Sequence, residues 1–109
     1  MKQASPIIVG IDFSASSAYV LRQAAHASML TGAPVVAAHV LNAGHLRHWE
    51  GSSQQEKAQD VLTEQAKAKL DELAQIEAPH IEVEYEVCCG RPAEELERIV
   101  REREASMLI

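Results

Sequence analysis

The sequence predicts an α/β domain with an open parallel sheet, helices on both faces and the strand order 3-2-1-4. Two short apolar runs, Pro6 to Asp12 and Pro34 to Leu41, have the length of strands that are buried on both faces. Helical patterns separate the predicted strands, and a crossover helix returns the chain to the same end of the sheet, as parallel strands require. A third run, Ile81 to Cys89, alternates apolar and acidic residues, which is typical of a strand at the edge of a sheet.

A helix is predicted between the first two strands. Ser14 or Ser16 can cap its first turn, and Gly32 is placed to end it as a C-terminal glycine. The residues that indicate its buried side recur at spacings of three and four: Ala18, Leu21, Ala25, Ser28 and Met29.

A long amphipathic helix is predicted between the second and third strands. The segment from Asn42 to Gly51 has no hydrophobic periodicity and is predicted to be a surface loop. Ser53 and Glu56 after it have the spacing of a capping box at the start of a helix. Pro79 ends the helix. Its apolar stripe consists of Ala58, Leu62, Ala66, Leu70 and Leu73.

The third strand is predicted to have one apolar and one acidic face. The alternation places Cys89 among the buried apolar residues and Cys88 on the exposed face with Glu82, Glu84 and Glu86. The acidic face is most simply a solubilising edge.

The last predicted helix begins at Pro92, which suits a first helical position, and a fourth strand begins at Met107. Glu94 is spaced to pair with Arg98 along the exposed side of this helix. Its buried side consists of Leu96, Ile99 and Val100.

Composition and charge limit the class of partner. With 109 residues and 47% hydrophobic content the chain suits one globular domain, and its formal charge of −6 opposes attraction to nucleic acid or an anionic membrane. No apolar stretch approaches a membrane span or a signal-peptide core, and the adjacent Cys88 and Cys89 are expected to be reduced thiols. The sequence therefore predicts a cytoplasmic protein.

The predicted strand order creates a crevice where ligands of open α/β sheets commonly bind. The chain reverses its direction of winding between strands 1 and 4, so the crevice lies at the carboxyl ends of those strands. Asp12 stands at its lip, where it either contacts a ligand or caps the following helix. The serines that follow Asp12 are interpreted as caps rather than nucleophiles, because no elbow motif is present.

The histidines favour structural interpretations over catalytic ones. His39 lies within an apolar strand and is read as a hydrogen-bonded core residue, with a ligand or base as the alternative. His45 and His48 are three residues apart in the predicted loop, but no cysteine or acidic cluster offers the further ligands that a metal needs. No metal site is predicted.

Three segments, VGIDFSASSAYVLRQAA, VVAAHVL and GRPAEELERIVREREASMLI, resemble the universal stress protein family in their order and separation. The resemblance implies an adenine-nucleotide-binding α/β fold with five parallel strands, commonly a homodimer. It also implies that the acid after strand 1 contacts the adenosine and that the residue after the strand 2 histidine lines the adenine pocket. Asp12 and Val40 occupy those positions, and Gly10, Ile11 and Phe13 form the neighbouring backbone.

The resemblance further implies that the phosphates are held by a glycine-rich stretch after strand 4. The sequence ends at Ile109, before that stretch. We therefore expect residues 1–109 to form a single universal-stress-protein-like domain that lacks the family's C-terminal strand-helix-strand portion, including the fifth strand. A triphosphate would then lack the backbone N–H groups that balance its charge.

The function that the resemblance implies is binding of ATP or AMP in a stress-response or signalling role. The alternative is a dimeric interaction module of the same family that binds no nucleotide. An adenylating ligase or a flavoprotein subunit is disfavoured, because no SGGxDS-like or HIGH-like motif follows strand 1. At most slow ATP hydrolysis is expected, since no general base or metal-binding acid beyond Asp12 is visible.

Overall fold

The computed structural model describes residues 5–42 and 54–109, which form one four-stranded parallel sheet with three helices. Asn42, which was predicted to begin a loop, is the last residue of a strand. The rest of the predicted loop, with His45 and His48, and Ser53 of the predicted capping box lie outside the described residues. The elements in chain order are β1 (Ile7–Gly10), α1 (Ser17–Thr31), β2 (Val35–Asn42), α2 (Gln54–Glu77), β3 (Val83–Gly90), α3 (Pro92–Glu102) and β4 (Met107–Leu108).

The strand order is β3-β2-β1-β4 and every neighbouring pair is parallel, which confirms the predicted sheet. Ile8 at the centre of β1 lies opposite Val36 of β2 and Leu108 of β4. Because β1 is paired on both sides, its short apolar run is the centre of the sheet. The winding reverses between β1 and β4, as predicted, and β3 forms one edge.

Two hydrophobic cores lie on opposite faces of the sheet, because successive strand residues point to opposite sides. The larger core packs β1 and β2 against α1 and α2, and its fully buried side chains include Val9, Leu21 and Leu70. The smaller core packs the other face against α3 and has four buried members: Ile8, Val36, Ala38 and Ile99. Helices therefore cover both faces, as the sequence predicted.

The C-terminal end of α1 is set by glycine. Gly32 has a φ of 77° and donates its N–H to the Ser28 carbonyl at 2.8 Å, closing the last turn in the left-handed conformation. The Oγ of Ser28 donates to the Ala33 carbonyl at 2.6 Å and holds the chain as it enters β2. Leu21 is buried as predicted, but Met29, which was also predicted to be buried, is 68% exposed, because the buried stripe continues through Ala24.

Replacing Gly32 by alanine is expected to lower the free energy of unfolding by about 1 kcal/mol, because a Cβ at positive φ is strained. No atom lies within 4 Å of that Cβ position, so the effect is conformational and not steric. Urea denaturation followed by circular dichroism measures it. Gly32→Asn, which tolerates the left-handed conformation better, is the matched control and is expected to lose less. Equal losses in the two variants would contradict this account of the helix end.

The ion pairs of α3 differ from the predicted ones. Arg98 pairs with Glu95 at 3.0 Å and with Glu102 at 2.8 Å, whereas Glu94 lies 3.7 Å from Arg91. The predicted pair of Glu94 with Arg98 is therefore wrong. Arg98 lies between a carboxylate three residues before it and one four residues after it, and both spacings bring side chains together on a helix.

The acidic face of β3 is covered in part by the end of α3. Arg103 pairs with Glu84 at 2.6 Å and with Glu86 at 2.7 Å. Cys88, which was predicted to be exposed, is half-buried and packs against the smaller core. Burial and then the nearby Glu95 carboxylate raise the pKa of the Cys88 thiol to about 11, so this cysteine is a protonated packing residue at neutral pH.

Within residues 5–42 and 54–109, no helix combines the length and the apolarity needed to span a bilayer. The described side chains also contain no group of three or more histidine, cysteine, aspartate or glutamate residues placed to hold a metal ion.

Candidate functional site

A cavity of about 490 Å³ lies at the carboxyl ends of β1 and β2, in the crevice that the strand order predicted. The first turn of α1 forms one wall and the first turns of α3 form another. Leu108 and Ile109, at the end of β4, complete the enclosure. The crossovers through α1 and α3 thus converge on one space, because the winding reverses between β1 and β4.

Asp12 follows β1 directly and lines this cavity. Its Oδ1 accepts hydrogen bonds from the backbone N–H of Ser14 at 2.9 Å and from the Oγ of Ser17 at 3.1 Å. The hydrogen bonds from Ser14 and then Ser17 lower the pKa of the Asp12 carboxyl below its ordinary value. Asp12 is therefore an ionised acceptor at neutral pH.

The same contacts show that Asp12 stabilises the turn leading into α1. Ser16 stands at the N-cap position but makes no side-chain cap hydrogen bond; its Oγ lies 3.0 Å from the Oγ of Ser14. Asp12 is therefore not the N-cap of α1, because it lies four residues before Ser16. Its Oδ1 supports the turn that precedes the helix, and its exposed carboxylate lines the cavity.

The residues on either side of Asp12 are both held by His39. The Nδ1 of His39 lies 2.6 Å from the carbonyl oxygen of Ile11. The His39 ring is tilted against the Phe13 ring, with 4.6 Å between the ring centroids. His39 is thus hydrogen-bonded, as the favoured sequence interpretation held, but it is half-buried and lines the cavity.

Apolar side chains form most of the cavity wall. Ile11, just after β1, lines it together with Val40 of β2 and Leu96 of α3. Gly10 permits the close approach of α3, because a Cβ at this position would lie 3.0 Å from Cδ1 of Leu96. Asp12 has the one acidic side chain among the described lining residues, and it stands at an otherwise largely apolar surface.

The structure brings four of the five predicted site residues to the cavity wall: Gly10, Ile11, Asp12 and Val40. Phe13 is not among the lining residues; its side chain packs against the larger core and beneath the ammonium of Lys69, 5.5 Å from the ring centroid. The sequence interpretation missed Ser17, Pro92 and Leu96. The signal that could have found the α3 residues is the position of Pro92 directly after the carboxyl end of β3.

Comparison with known proteins places the chain among proteins of this fold. A family model described as the universal stress protein family matches residues 4–109. The structure of a universal stress protein from Archaeoglobus fulgidus is 25% identical, with a TM-score of 0.72 over 97% of this chain and 74% of that chain. No protein with a curated function is similar enough to this chain to count as a match.

Two other similar structures contain nucleotides. The universal stress protein from Archaeoglobus fulgidus in complex with dAMP is 24% identical, with a TM-score of 0.73 over 98% of this chain and 80% of that chain. A universal stress protein in complex with cAMP is 19% identical, with a TM-score of 0.63 over 98% of this chain and 72% of that chain.

Proposed function

Because the chain belongs to the universal stress protein family, we propose that it binds an adenine nucleotide, AMP or ATP, in the cavity at the carboxyl ends of β1 and β2. The observation that carries the proposal is an ionised, exposed Asp12 at the mouth of a mostly apolar cavity of about 490 Å³. That volume lies within the range of small-molecule sites, roughly 300–1,000 Å³. The complexes of similar proteins with dAMP and cAMP support the same class of ligand.

The proposed roles of the residues follow from their chemistry. Val40, Ile11 and Leu96 offer apolar surface to the faces of the adenine ring. The Asp12 carboxylate accepts hydrogen bonds from the ribose hydroxyl groups, since an ionised carboxylate has about four acceptor sites and Oδ1 already uses two. Gly10 and Phe13 shape the backbone on either side of these contacts.

The wider expectations belong to the same proposal and rest on the family resemblance. They are that residues 1–109 form one domain, that the protein is a cytoplasmic homodimer, and that nucleotide occupancy serves a stress-response or signalling role. We propose no catalytic activity beyond slow ATP hydrolysis.

Replacing Asp12 by asparagine is expected to weaken AMP binding about tenfold, because hydrogen bonds to a charged group are worth about 1.5 kcal/mol or more. Asparagine retains an oxygen that can accept from the Ser14 N–H, so the turn into α1 is preserved better than in Asp12→Ala. Isothermal titration calorimetry measures the affinity, and thermal unfolding of the ligand-free variant checks its fold.

Asp60→Asn is the matched control, because Asp60 is an exposed aspartate on α2 and does not line the cavity. Its affinity for AMP is expected to equal that of the wild type. Unchanged binding by Asp12→Asn would overturn the assignment of the site. A folded wild-type protein that binds neither AMP nor ATP would overturn the proposed function and favour the dimeric interaction module.

A further inference from the structure

The segment Ile11–Phe13 has a conformation that its own sequence does not favour. Phe13 has a φ of 60°, in the left-handed region that residues with a Cβ rarely adopt. Such a conformation persists only where the surrounding structure imposes it. The contacts of Phe13 and its neighbours therefore decide how Asp12 is presented.

His39 supplies two of these contacts. A carbonyl oxygen can only accept, so the 2.6 Å contact with Ile11 requires a proton on Nδ1 of His39. The His39 ring also packs against the Phe13 ring, and the Lys69 ammonium lies 5.5 Å from the centroid of the same ring. One side chain of β2 thus holds the residue before Asp12 by a hydrogen bond and the residue after it by ring packing.

We propose that His39 is a positioning residue that fixes the Ile11–Phe13 turn and thereby aims the Asp12 carboxylate into the cavity. It acts through Asp12 rather than by contact with the ligand. The inference rests on the proposed function, since nucleotide affinity is the quantity that a displaced carboxylate would lower.

The two contacts of His39 can be removed separately. His39→Asn retains an N–H donor close to the position of Nδ1 and loses the ring, whereas His39→Phe retains a ring and loses the donor. His39→Leu removes both contacts at similar volume. AMP affinity is expected to fall about tenfold in His39→Leu, with intermediate losses in the other two variants. His26→Leu, at an exposed histidine of α1 that does not line the cavity, is the control and is expected to bind AMP as the wild type does.

A double-mutant cycle with Asp12→Asn distinguishes positioning from a merely structural role. If His39 acts through the Asp12 carboxylate, His39→Leu weakens AMP binding about tenfold in the wild type but less than about twofold in Asp12→Asn. Full additivity would overturn the inference, because His39 would then contribute independently of Asp12. Equal affinity in the wild type and His39→Leu would also overturn it.

A measurement without ligand keeps this test separate from that of the proposed function. Backbone amide chemical shifts of Asp12 and Phe13 in the ligand-free protein report the conformation of the turn. They are expected to change more in His39→Leu than in His39→Asn or His26→Leu, and no difference between these variants would overturn the positioning role. If the wild type binds no AMP, the proposed function fails, while the amide shifts still support or overturn the role of His39 in the turn.

Discussion

Truncating Ile8 to alanine is expected to lower the free energy of unfolding by about 3–4 kcal/mol. Ile8 is 0% exposed at the centre of β1, and it belongs to the smaller core, which α3 covers. The strands on both sides are paired to β1, so the sheet cannot close the space that the lost carbons leave. Total stabilities of about 5–15 kcal/mol make this a large fraction of the folding free energy.

Urea denaturation followed by circular dichroism measures this loss. Ile8→Val, which removes one methylene group, is expected to cost about 1 kcal/mol. Ile76→Ala is the control at the surface, because Ile76 on α2 is 66% exposed, and its expected effect is within about 0.5 kcal/mol of zero. A loss for Ile8→Ala no larger than for Ile76→Ala would contradict the packing of α3 on this face.

The order of the strands could be predicted because the sequence carries it in local patterns. The run of Ile7 to Gly10 is apolar without alternation, which is required of a strand that is paired and covered on both sides. The alternation of β3 indicates an edge strand, and the helices between successive strands indicate that the strands pair in parallel. The reversal of winding, and hence the location of the cavity, follow from this order.

The exposure of single side chains was harder to predict, because it depends on which helix covers which part of a strand. Cys88 lies on the same face of β3 as the glutamates, yet α3 packs over it and buries it in part. Glu84 and Glu86 remain near the surface because Arg103, at the end of the same helix, pairs with them. Periodicity assigns a side chain to a face but does not tell how far a neighbouring helix extends.

The candidate site, too, could be predicted from the sequence only in part. The position of Asp12 at the crevice follows from its place at the end of a strand, whereas Gly10 and Val40 were implied by the family resemblance; the structure brings all three to one cavity. The contacts of His39 with Ile11 and Phe13 depend on the register of β1 against β2 and on a left-handed residue. Sequence periodicity specifies neither, because phenylalanine has no preference for positive φ and register is a property of two strands together.

Replacing Val40 by glutamate is expected to weaken AMP binding about a hundredfold, which corresponds to about 3 kcal/mol. Val40 is half-buried and lines the cavity from the end of β2. A carboxylate at this position loses hydration when the adenine covers it, and burial of an unpaired charge costs several kcal/mol. It also repels the phosphate of the ligand and the ionised Asp12, which lines the same cavity.

The side chain in Val40→Gln has nearly the same shape as that in Val40→Glu but carries no charge. The difference in AMP affinity between the two variants therefore measures the effect of the charge separately from the effect of the larger side chain. Calorimetric titration with AMP is expected to show a modest loss for glutamine and a far larger one for glutamate. Because salt screens a charge in open water much more than one enclosed beneath a bound base, the loss in Val40→Glu is expected to persist at high salt. Equal affinities of the two variants would mean that the base does not lie against β2, and the adenine would then have to be placed elsewhere in the cavity.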